Sequence, residues 1–316
     1  MQEFLLILKN VIIFVLLAVP AYILVRGKIL KESDSRVISK LLLYIGLPFL
    51  IFDSVAKVDL SGKNTIIFIL IFIFGVLFPM LCVWISSFFY RKDENKKARG
   101  IARFCMAFAN NGFLGIPLAT MVFGADSIIT ACIIVLNITS NSLMYIFGPS
   151  LAAGEKQKTS VLKVILNPGI IAFVIGIIVN LTKLGTLLPQ ISTYAGYFSG
   201  IVTPVSMLIL GMKMAAMPLK KLFLNKKVYT VCLMKLIVFP VIASLLGILL
   251  MKLGLFDRSM VIAVYIAYAM PTAGSASAFA DRHDGDGDGA AAYTLGTTIF
   301  CIATVPLLYL LLQYCI

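Results

Sequence analysis

Long runs of apolar residues follow one another along the chain, and short polar segments separate them. A helix needs about 20 mainly apolar residues to cross the hydrocarbon core of a bilayer. Ten runs approach that length, and they predict spans 1 to 10 over residues 4–25, 37–56, 65–90, 101–123, 126–149, 163–182, 193–215, 228–252, 259–280 and 290–313. The runs do not alternate apolar with polar residues as barrel strands do, so the pattern predicts an all-α membrane protein.

The composition agrees with this pattern. Hydrophobic residues make up 60% of the chain and charged residues 13%, whereas soluble domains have about 45–50% and 25%. A soluble fold could not bury so much apolar surface, and lipid is the solvent that accepts it. The net charge of +13 does not indicate nucleic-acid binding, because the basic residues cluster between the spans as the positive-inside rule requires.

The distribution of Lys and Arg predicts the orientation. If the N-terminus lies outside the cell, 19 of these residues fall on the inner side of the membrane or at adjacent span ends, and 6 fall on the outer side. This bias supports ten spans in the plasma membrane with both termini outside. The first run has no basic segment before it and no cleavage site after it, so we interpret it as a retained span.

Prolines indicate an internal repeat. Four pairs are separated by 154 to 161 residues, and they fall in spans 2 and 7, 3 and 8, 4 and 9, and 5 and 10: Pro48 and Pro204, Pro79 and Pro240, Pro117 and Pro271, Pro149 and Pro306. Since each repeat has an odd number of spans, the second must be inverted relative to the first, as in many secondary transporters. The sequence predicts repeats over 1–150 and 163–316, joined by an inner loop at 151–162.

Spans 4 and 9 contain residues that interrupt helices. Span 4 carries Asn110, Asn111, Gly112, Gly115 and Pro117 near its middle, and span 9 carries Pro271, Thr272, Gly274, Ser275 and Ser277. Proline and glycine destabilise helix interiors. The pattern predicts an unwound centre in each span, with Pro117 in the first turn of a new half-helix.

Paired breaks at matching depth are the best sequence indication of a transporter's binding site. A half-helix that begins inside the membrane presents unpaired N–H groups and a positive dipole end, which bind anions. Asn137 and Asn141 of span 5 share one helix face and are predicted to line the same cavity. The alternatives are kinked helices packed through small residues, and polar side chains that bond only between helices.

Other candidate chemistry is sparse. Lys213 and Lys235 are placed within reach of the inner surface and are expected to extend their ammonium groups to it, while Asp53 is placed near the outer end of span 2. These positions do not favour a proton relay of buried carboxylates. The segment DGDGDG (284–289) resembles the start of an EF-hand loop, but position twelve is Leu295, so we expect a solvated inner turn.

No metal or cofactor site is predicted. The cysteines stand singly inside apolar runs with no CxxC spacing, and His283 has no ligand partners at metal spacing. Neither a phosphate-binding GxxxxGK[ST] loop nor a nucleophile–base set is present, so an enzyme is not expected.

The segments FANNGFLGIPLA (108–119), MPTAGSASAFADR (270–282) and ATVPLL (303–308) resemble the auxin efflux carrier family. The resemblance implies a bile-acid-symporter-like fold in which spans 4 and 9 cross at their broken centres, at Pro117 and Pro271. It implies a moving transport domain from spans 3–5 and 8–10, and a scaffold from spans 1, 2, 6 and 7 that is often dimeric. It also implies that Asn110 or Asn111 meets a substrate carboxylate.

Together these features predict a carrier of small organic anions that works by alternating access, with a small carboxylate, membrane lipid and a second copy of the chain as partners. The family resemblance suggests malate, malonate or an auxin-like acid. A sodium-coupled organic-anion symporter and a ligand sensor without net flux are the alternatives. The turn DRHDGDGDG (281–289) departs from the tyrosine-containing turn of the family, which affects inner gating rather than the fold.

Overall fold

The computed structural model describes residues 2–60, 62–158, 162, 165–216 and 225–316. The regular elements of this part are helical, and it contains no strand beyond one isolated bridge. The helices of the first half are α1 Gln2–Leu16, α2 Val19–Arg26, α3 Ser35–Leu41, α4 Leu47–Lys57, α5 Lys63–Ser86, α6 Lys96–Ala107, α7 Ile116–Phe123 and α8 Ile128–Ala153.

The second half continues in the same way. Its helices are α9 Pro168–Leu181, α10 Leu184–Leu187, α11 Pro189–Ser199, α12 Val202–Ala216, α13 Lys226–Leu233, α14 Phe239–Lys252, α15 Arg258–Ala269, α16 Ala276–Arg282 and α17 Gly287–Gln313. The predicted linker at 151–162 starts inside α8, and its residues 159–161 lie outside the described part, as do the start of span 6 and most of the basic stretch 220–227.

Several helices are long and apolar enough to cross a membrane. Within the described residues these are Glu32–Lys57, Asn64–Ser86, Ile128–Ala153, Pro189–Ala216, Lys226–Lys252 and Gly287–Gln313, and shorter apolar helices cover Asn111–Phe123, Pro168–Leu181 and Arg258–Ala269. The all-helical prediction is confirmed. The full set of ten spans and their inverted symmetry stay predictions.

Large apolar side chains cover much of the helical surface. Leu181, Leu311, Ile23 and Trp84 are each 60–68% exposed. Burying one such side chain away from water is worth about 1.5–3 kcal/mol, so a surface of this kind would be strongly unfavourable in water and is favourable against lipid tails.

In the described residues, three π-helical turns each end two residues before a proline. The turns are Leu42–Gly46, Asn111–Gly115 and Met234–Val238, and the helices that continue from them carry Pro48, Pro117 and Pro240 at their first or second position. Proline lacks the N–H that would continue the α-helical ladder. A wider turn ahead of it accommodates that missing donor and changes the rotation of the next residues.

Side-chain caps begin several helices. Five of them accept a backbone N–H one turn into the helix or closer: Asn95, Asn167, Asn225, Asp257 and Asp286. Asp286 belongs to the DGDGDG segment and accepts the N–H of Gly289 at 2.9 Å. The sequence predicts a solvated turn for this segment, and the structure shows that its Asp286 carboxylate also caps α17.

The chain divides into two compact units. The first comprises Met1–Ile67, Gly112–Ile134 and Ile165–Met217, and the second comprises Phe68–Asn111, Val135–Val164 and Pro218–Ile316. The first unit thus contains spans 1, 2, 6 and 7, and the second contains spans 3, 8, 9 and 10 with the greater part of span 5. Span 4 contributes α6 to the second unit and α7 to the first.

In the first unit, α9 donates hydrogen bonds to the C-terminal end of α4, and α12 lies close to the N-terminal end of α2. The Asn180 amide donates to the carbonyls of Val55 at 2.8 Å and Val58 at 2.6 Å. A Cβ added at Gly211 would overlap the Ala18 carbonyl, so only glycine permits this approach of the two backbones. Inside the same unit, Asp53 is 4% exposed and pairs with Lys57 at 2.8 Å.

In the second unit, glycines bring α5 and α6 against α8. A Cβ at Gly100 would overlap the Leu151 carbonyl, and one at Gly75 would overlap the Thr139 hydroxyl. In the loop before α6, the Asp93 carboxylate accepts from the Lys227 ammonium at the start of α13. That hydrogen bond holds the pKa of Asp93 below its ordinary value.

Candidate functional site

Both predicted interruptions are present, and they meet in the second unit. Helix α6 ends at Ala107, and the helical structure resumes with the π-turn at Asn111. Helix α15 ends at Ala269, and α16 begins at Ala276. Ala109 and Thr272 form an antiparallel bridge between the two extended segments. The helices thus end and resume at the positions where the sequence predicts unwound centres, and the crossing of two complete spans stays a prediction.

Backbone hydrogen bonds define the crossing. The Asn110 N–H donates to the Pro271 carbonyl at 2.8 Å, and the Ala273 N–H donates to the Phe108 carbonyl at 3.0 Å. Extended backbone within a membrane must find such partners, because lipid offers none. Pro271 is therefore part of the crossing, as implied, and its missing N–H is not required there.

Pro117 has a different position. It lies seven residues beyond Asn110, the last residue of the extended segment, in the first turn of α7, as its predicted place in a new half-helix requires. The chain pairs through Phe108 and Asn110 instead, so the crossing does not run through Pro117. Gly112 and Gly115 lie between these points, in the π-turn that precedes α7.

Thr272 is fully occupied in holding the crossing together. Its side chain is buried, and its hydroxyl donates to the Cys105 carbonyl at 2.8 Å. That carbonyl is one of the last four of α6, which have no partner within the helix. The Thr272 N–H donates to the Thr297 hydroxyl of α17 at 3.1 Å. Thr272 thus links spans 4, 9 and 10.

Asn111 is the exception in this network. Its side chain is 1% exposed, yet neither its amide nitrogen nor its amide oxygen has a hydrogen-bond partner among the described residues. Leaving a buried polar group unpaired costs about 1–3 kcal/mol, and most buried polar groups in native proteins avoid it. Asn111 also starts a helical segment, so it lies at the positive end of a helix dipole.

Asn110 lies next to the second break. Its amide nitrogen is 3.7 Å from the position that a Cβ on Gly274 would take. The side chain is partly exposed, and no hydrogen bond to a described residue engages it. A larger residue at position 274 would cover this amide.

The asparagines of span 5 lie on the helix face that meets the second break. The Asn141 amide donates to the Asn137 amide oxygen at 3.1 Å, which confirms that the two share a face. Met144 follows one turn later on that face, and its sulfur accepts the Ser275 hydroxyl at 3.3 Å. Asn141 therefore lies within about one helical turn of the interruption in span 9.

The expectation that the Lys235 ammonium reaches the inner surface is wrong. Its side chain is 1% exposed, and its ammonium nitrogen is 3.4 Å from the Tyr268 carbonyl. Nine residues at 1.5 Å each place it about 13 Å along the helix from Lys226, too deep to extend to the surface. Lys213, in the first unit, is partly exposed and is compatible with that extension.

One signal could have located Lys235 correctly. Val228, Val231, Phe239 and Ala243 form the buried stripe of span 8, and Lys235 is four residues from both Val231 and Phe239. The exposed face of the same span carries Tyr229, Leu233, Ile237, Val241, Leu245 and Leu249. Helical periodicity thus assigns the lysine to the interior.

Comparison with known proteins agrees with this architecture. The sequence model of a family described as "Membrane transport protein" matches residues 6–309. An uncharacterised transporter of Methanothermobacter thermautotrophicus is 27% identical over 315 residues, which cover 95% of this chain and 96% of the relative. The uncharacterised transporter MJ1031 of Methanocaldococcus jannaschii is 25% identical over 218 residues, which cover 66% of this chain and 70% of that relative.

Proposed function

We propose that this chain, a member of the membrane transport protein family, carries small organic anions across the cell membrane by alternating access. The family agrees with the resemblance of the sequence to the auxin efflux carriers. The observation that carries this proposal is the buried amide of Asn111 beside the crossing, which has no hydrogen-bond partner among the residues that the structure describes. Its N–H donors need acceptors, and the oxygens of a carboxylate supply them.

The proposed site draws on neutral polar groups rather than on a fixed salt bridge. Asn111 donates to the carboxylate at the positive end of its helical segment. Asn110 and the Asn137–Asn141 pair add oriented amides, and Ser275 adds a hydroxyl. Thr272 and Pro271 hold the crossing in place, and they position the site without needing to touch the substrate.

The burial of Asn111 supports alternating access. At 1% exposure this side chain cannot meet a substrate unless the protein opens. Opening first to one side and then to the other would expose it alternately. An inside-negative membrane potential drives an anion outward with about 2.3 kcal/mol per charge per 100 mV.

Flux in proteoliposomes tests the proposal. The purified protein is reconstituted, and movement of labelled malate, malonate, indole-3-acetate and alanine is followed with and without a potassium diffusion potential, in sodium and in choline buffer. We expect a carboxylate to move in response to the potential, and alanine not to move. The Asn111→Ala protein should show flux close to that of protein-free liposomes.

Two outcomes would contradict the proposal. Saturable binding of a carboxylate without flux under any gradient would indicate a sensor, and the crossing would then be a ligand pocket. Flux that requires sodium and ignores the potential would indicate the coupled symporter instead.

A further inference from the structure

The ammonium of Lys235 lies at the carbonyl end of α15, in the second unit. Its acceptor, the Tyr268 carbonyl, belongs to the last turn of α15, three residues before Pro271. The last four carbonyls of a helix have no partner within it and carry a partial negative charge. The residue after the helix, Met270, is extended, with φ −66° and ψ 149°.

In the described part of the chain, no carboxylate balances the charge of this lysine. It takes part in no ion pair with a described residue, and the 3.4 Å contact with Tyr268 uses one of its three donors. The Tyr268 hydroxyl is itself buried without a hydrogen-bond partner in the described part. A buried ammonium requires compensation, and here the carbonyl end of the interrupted helix provides it.

The backbone contributes to this placement. Lys235 lies in the π-turn Met234–Val238 that precedes Pro240. Turns of this type rotate the following residues and occur often at functional sites. The π-turn of span 8 therefore places a buried cation within one turn of the crossing.

In secondary transporters, coupling cations are held at unwound carbonyls and at the C-terminal ends of broken helices. We propose that the Lys235 ammonium is a tethered replacement for such a cation. It neutralises the carbonyl end of α15 and offsets the negative charge of a bound carboxylate. A monocarboxylate then binds to the second unit without any coupling ion, and its binding does not depend on sodium.

A cavity-forming variant tests this role without using transport. In Lys235→Ala the carbonyl end keeps its negative potential and loses its cation, so a small free cation should occupy the space. We expect methylammonium or sodium to raise the melting temperature of this variant by about 2 °C or more as the concentration increases. Choline, which is too large for the space, should not, and the wild-type protein should not respond to any of the three.

Two variants serve as matched controls. Lys235→Met fills the space with apolar atoms and should show no response to cations. Lys213→Ala removes a lysine from a span of the first unit and should show none either. Absence of a cation response in Lys235→Ala would overturn the proposal, as would an equal response in Lys213→Ala.

Substrate binding supplies the second arm, which rests on the proposed function. Lys235→Arg keeps the charge and should bind the transported carboxylate within about threefold of the wild type. Lys235→Gln keeps a donor for Tyr268 without the charge and should bind it at least tenfold more weakly, a difference of about 1.4 kcal/mol. Equal affinity in Lys235→Gln, or sodium-dependent binding by the wild type, would overturn the tethered-cation role.

The two arms separate the two proposals. If none of the tested anions moves or binds, the anion-carrier function fails, while the melting experiment still decides whether Lys235 occupies a cation position. If Lys235→Ala does not fold, Lys235→Gln takes its place in the binding arm, and its affinity relative to Lys235→Arg decides.

Discussion

The two interruptions that meet at the crossing use their polar side chains differently. In span 9, the Thr272 hydroxyl caps the Cys105 carbonyl and the Ser275 hydroxyl contacts Met144. In span 4, the Asn111 amide has no partner among the described residues although it is buried. One break is closed by the protein's own groups, and the other retains unused hydrogen-bonding capacity.

This difference separates support from recognition. A broken helix needs partners for its freed backbone groups wherever it lies in a membrane, and the polar residues of span 9 are those partners. An unpaired buried amide contributes nothing to stability and costs free energy. Its persistence beside the crossing is explained if the ligand pairs it. Substitutions in the two breaks should therefore change different measured quantities.

The largest effect is expected for Asn111, and it should appear in affinity. Hydrogen bonds to charged groups are worth about 1.5–3 kcal/mol, so Asn111→Ala should weaken carboxylate binding about 10- to 100-fold, and Asn111→Asp should weaken it further through repulsion. The melting temperature should stay near that of the wild type, because the amide has no partner to lose. Equilibrium binding and thermal unfolding on the same samples measure both quantities.

Asn180 provides the matched control. It is also an asparagine within a span, but its amide donates to carbonyls at the end of α4. Asn180→Ala should lower the melting temperature and leave the affinity of the folded protein unchanged. If Asn111→Ala behaves like Asn180→Ala, the Asn111 amide is structural and the comparison between the two breaks fails.

The second effect is expected for Thr272, and it should appear in stability. Thr272→Val retains the shape of the side chain and removes the hydroxyl, which leaves the Cys105 carbonyl unpaired at a cost of about 1–2 kcal/mol. For a chain of this size the melting temperature should fall by about 2–6 °C. Thr272→Ser, which keeps the hydroxyl, should restore most of the loss. A native melting temperature in Thr272→Val would show that the cap contributes nothing.

The positions of both breaks could be predicted from the sequence, because proline, glycine and asparagine disfavour a helix wherever the chain folds. The division of roles between the breaks could not. Thr272 and its acceptor are 167 residues apart, and no local pattern shows which hydroxyl will meet which carbonyl. Pro117 was implied as a crossing residue because it marks the break, but the extended pairing occurs on the N-terminal side of the π-turn.

Lys235 shows an error of a different kind. Its spacing from Val231 and Phe239 puts it on the buried stripe, whereas its distance from the end of the span led to the expectation that its ammonium reaches the inner surface. The buried charge of Lys235 is compensated by the carbonyl end of another helix, Arg258–Ala269. That end exists because of the break in span 9. A buried charge could not be assigned a partner until the tertiary contact was known.

A smaller effect is expected for Asn141, which is a candidate both for support of the fold and for recognition of the substrate. Its amide pairs with Asn137, so Asn141→Ala should cost about 1 kcal/mol of stability and leave the Asn137 oxygen free. If this face of span 5 also contacts the substrate, affinity should fall severalfold. A loss of stability without any loss of affinity would confine the pair to a structural role and reduce the site to spans 4 and 9.

The smallest effect is expected for Ser275. Its hydroxyl donates to the Met144 sulfur at 3.3 Å, and sulfur is a weak acceptor, so Ser275→Ala should change the melting temperature by less than about 2 °C. Ser142→Ala on α8, which removes a hydroxyl that donates to the Ile138 carbonyl one turn earlier, is the control. Affinity measured for both variants decides whether the second break takes part in recognition. A loss of more than about threefold in Ser275→Ala alone would mean that span 9 contributes a substrate ligand as well as a support, whereas equal affinities would leave recognition to the asparagines.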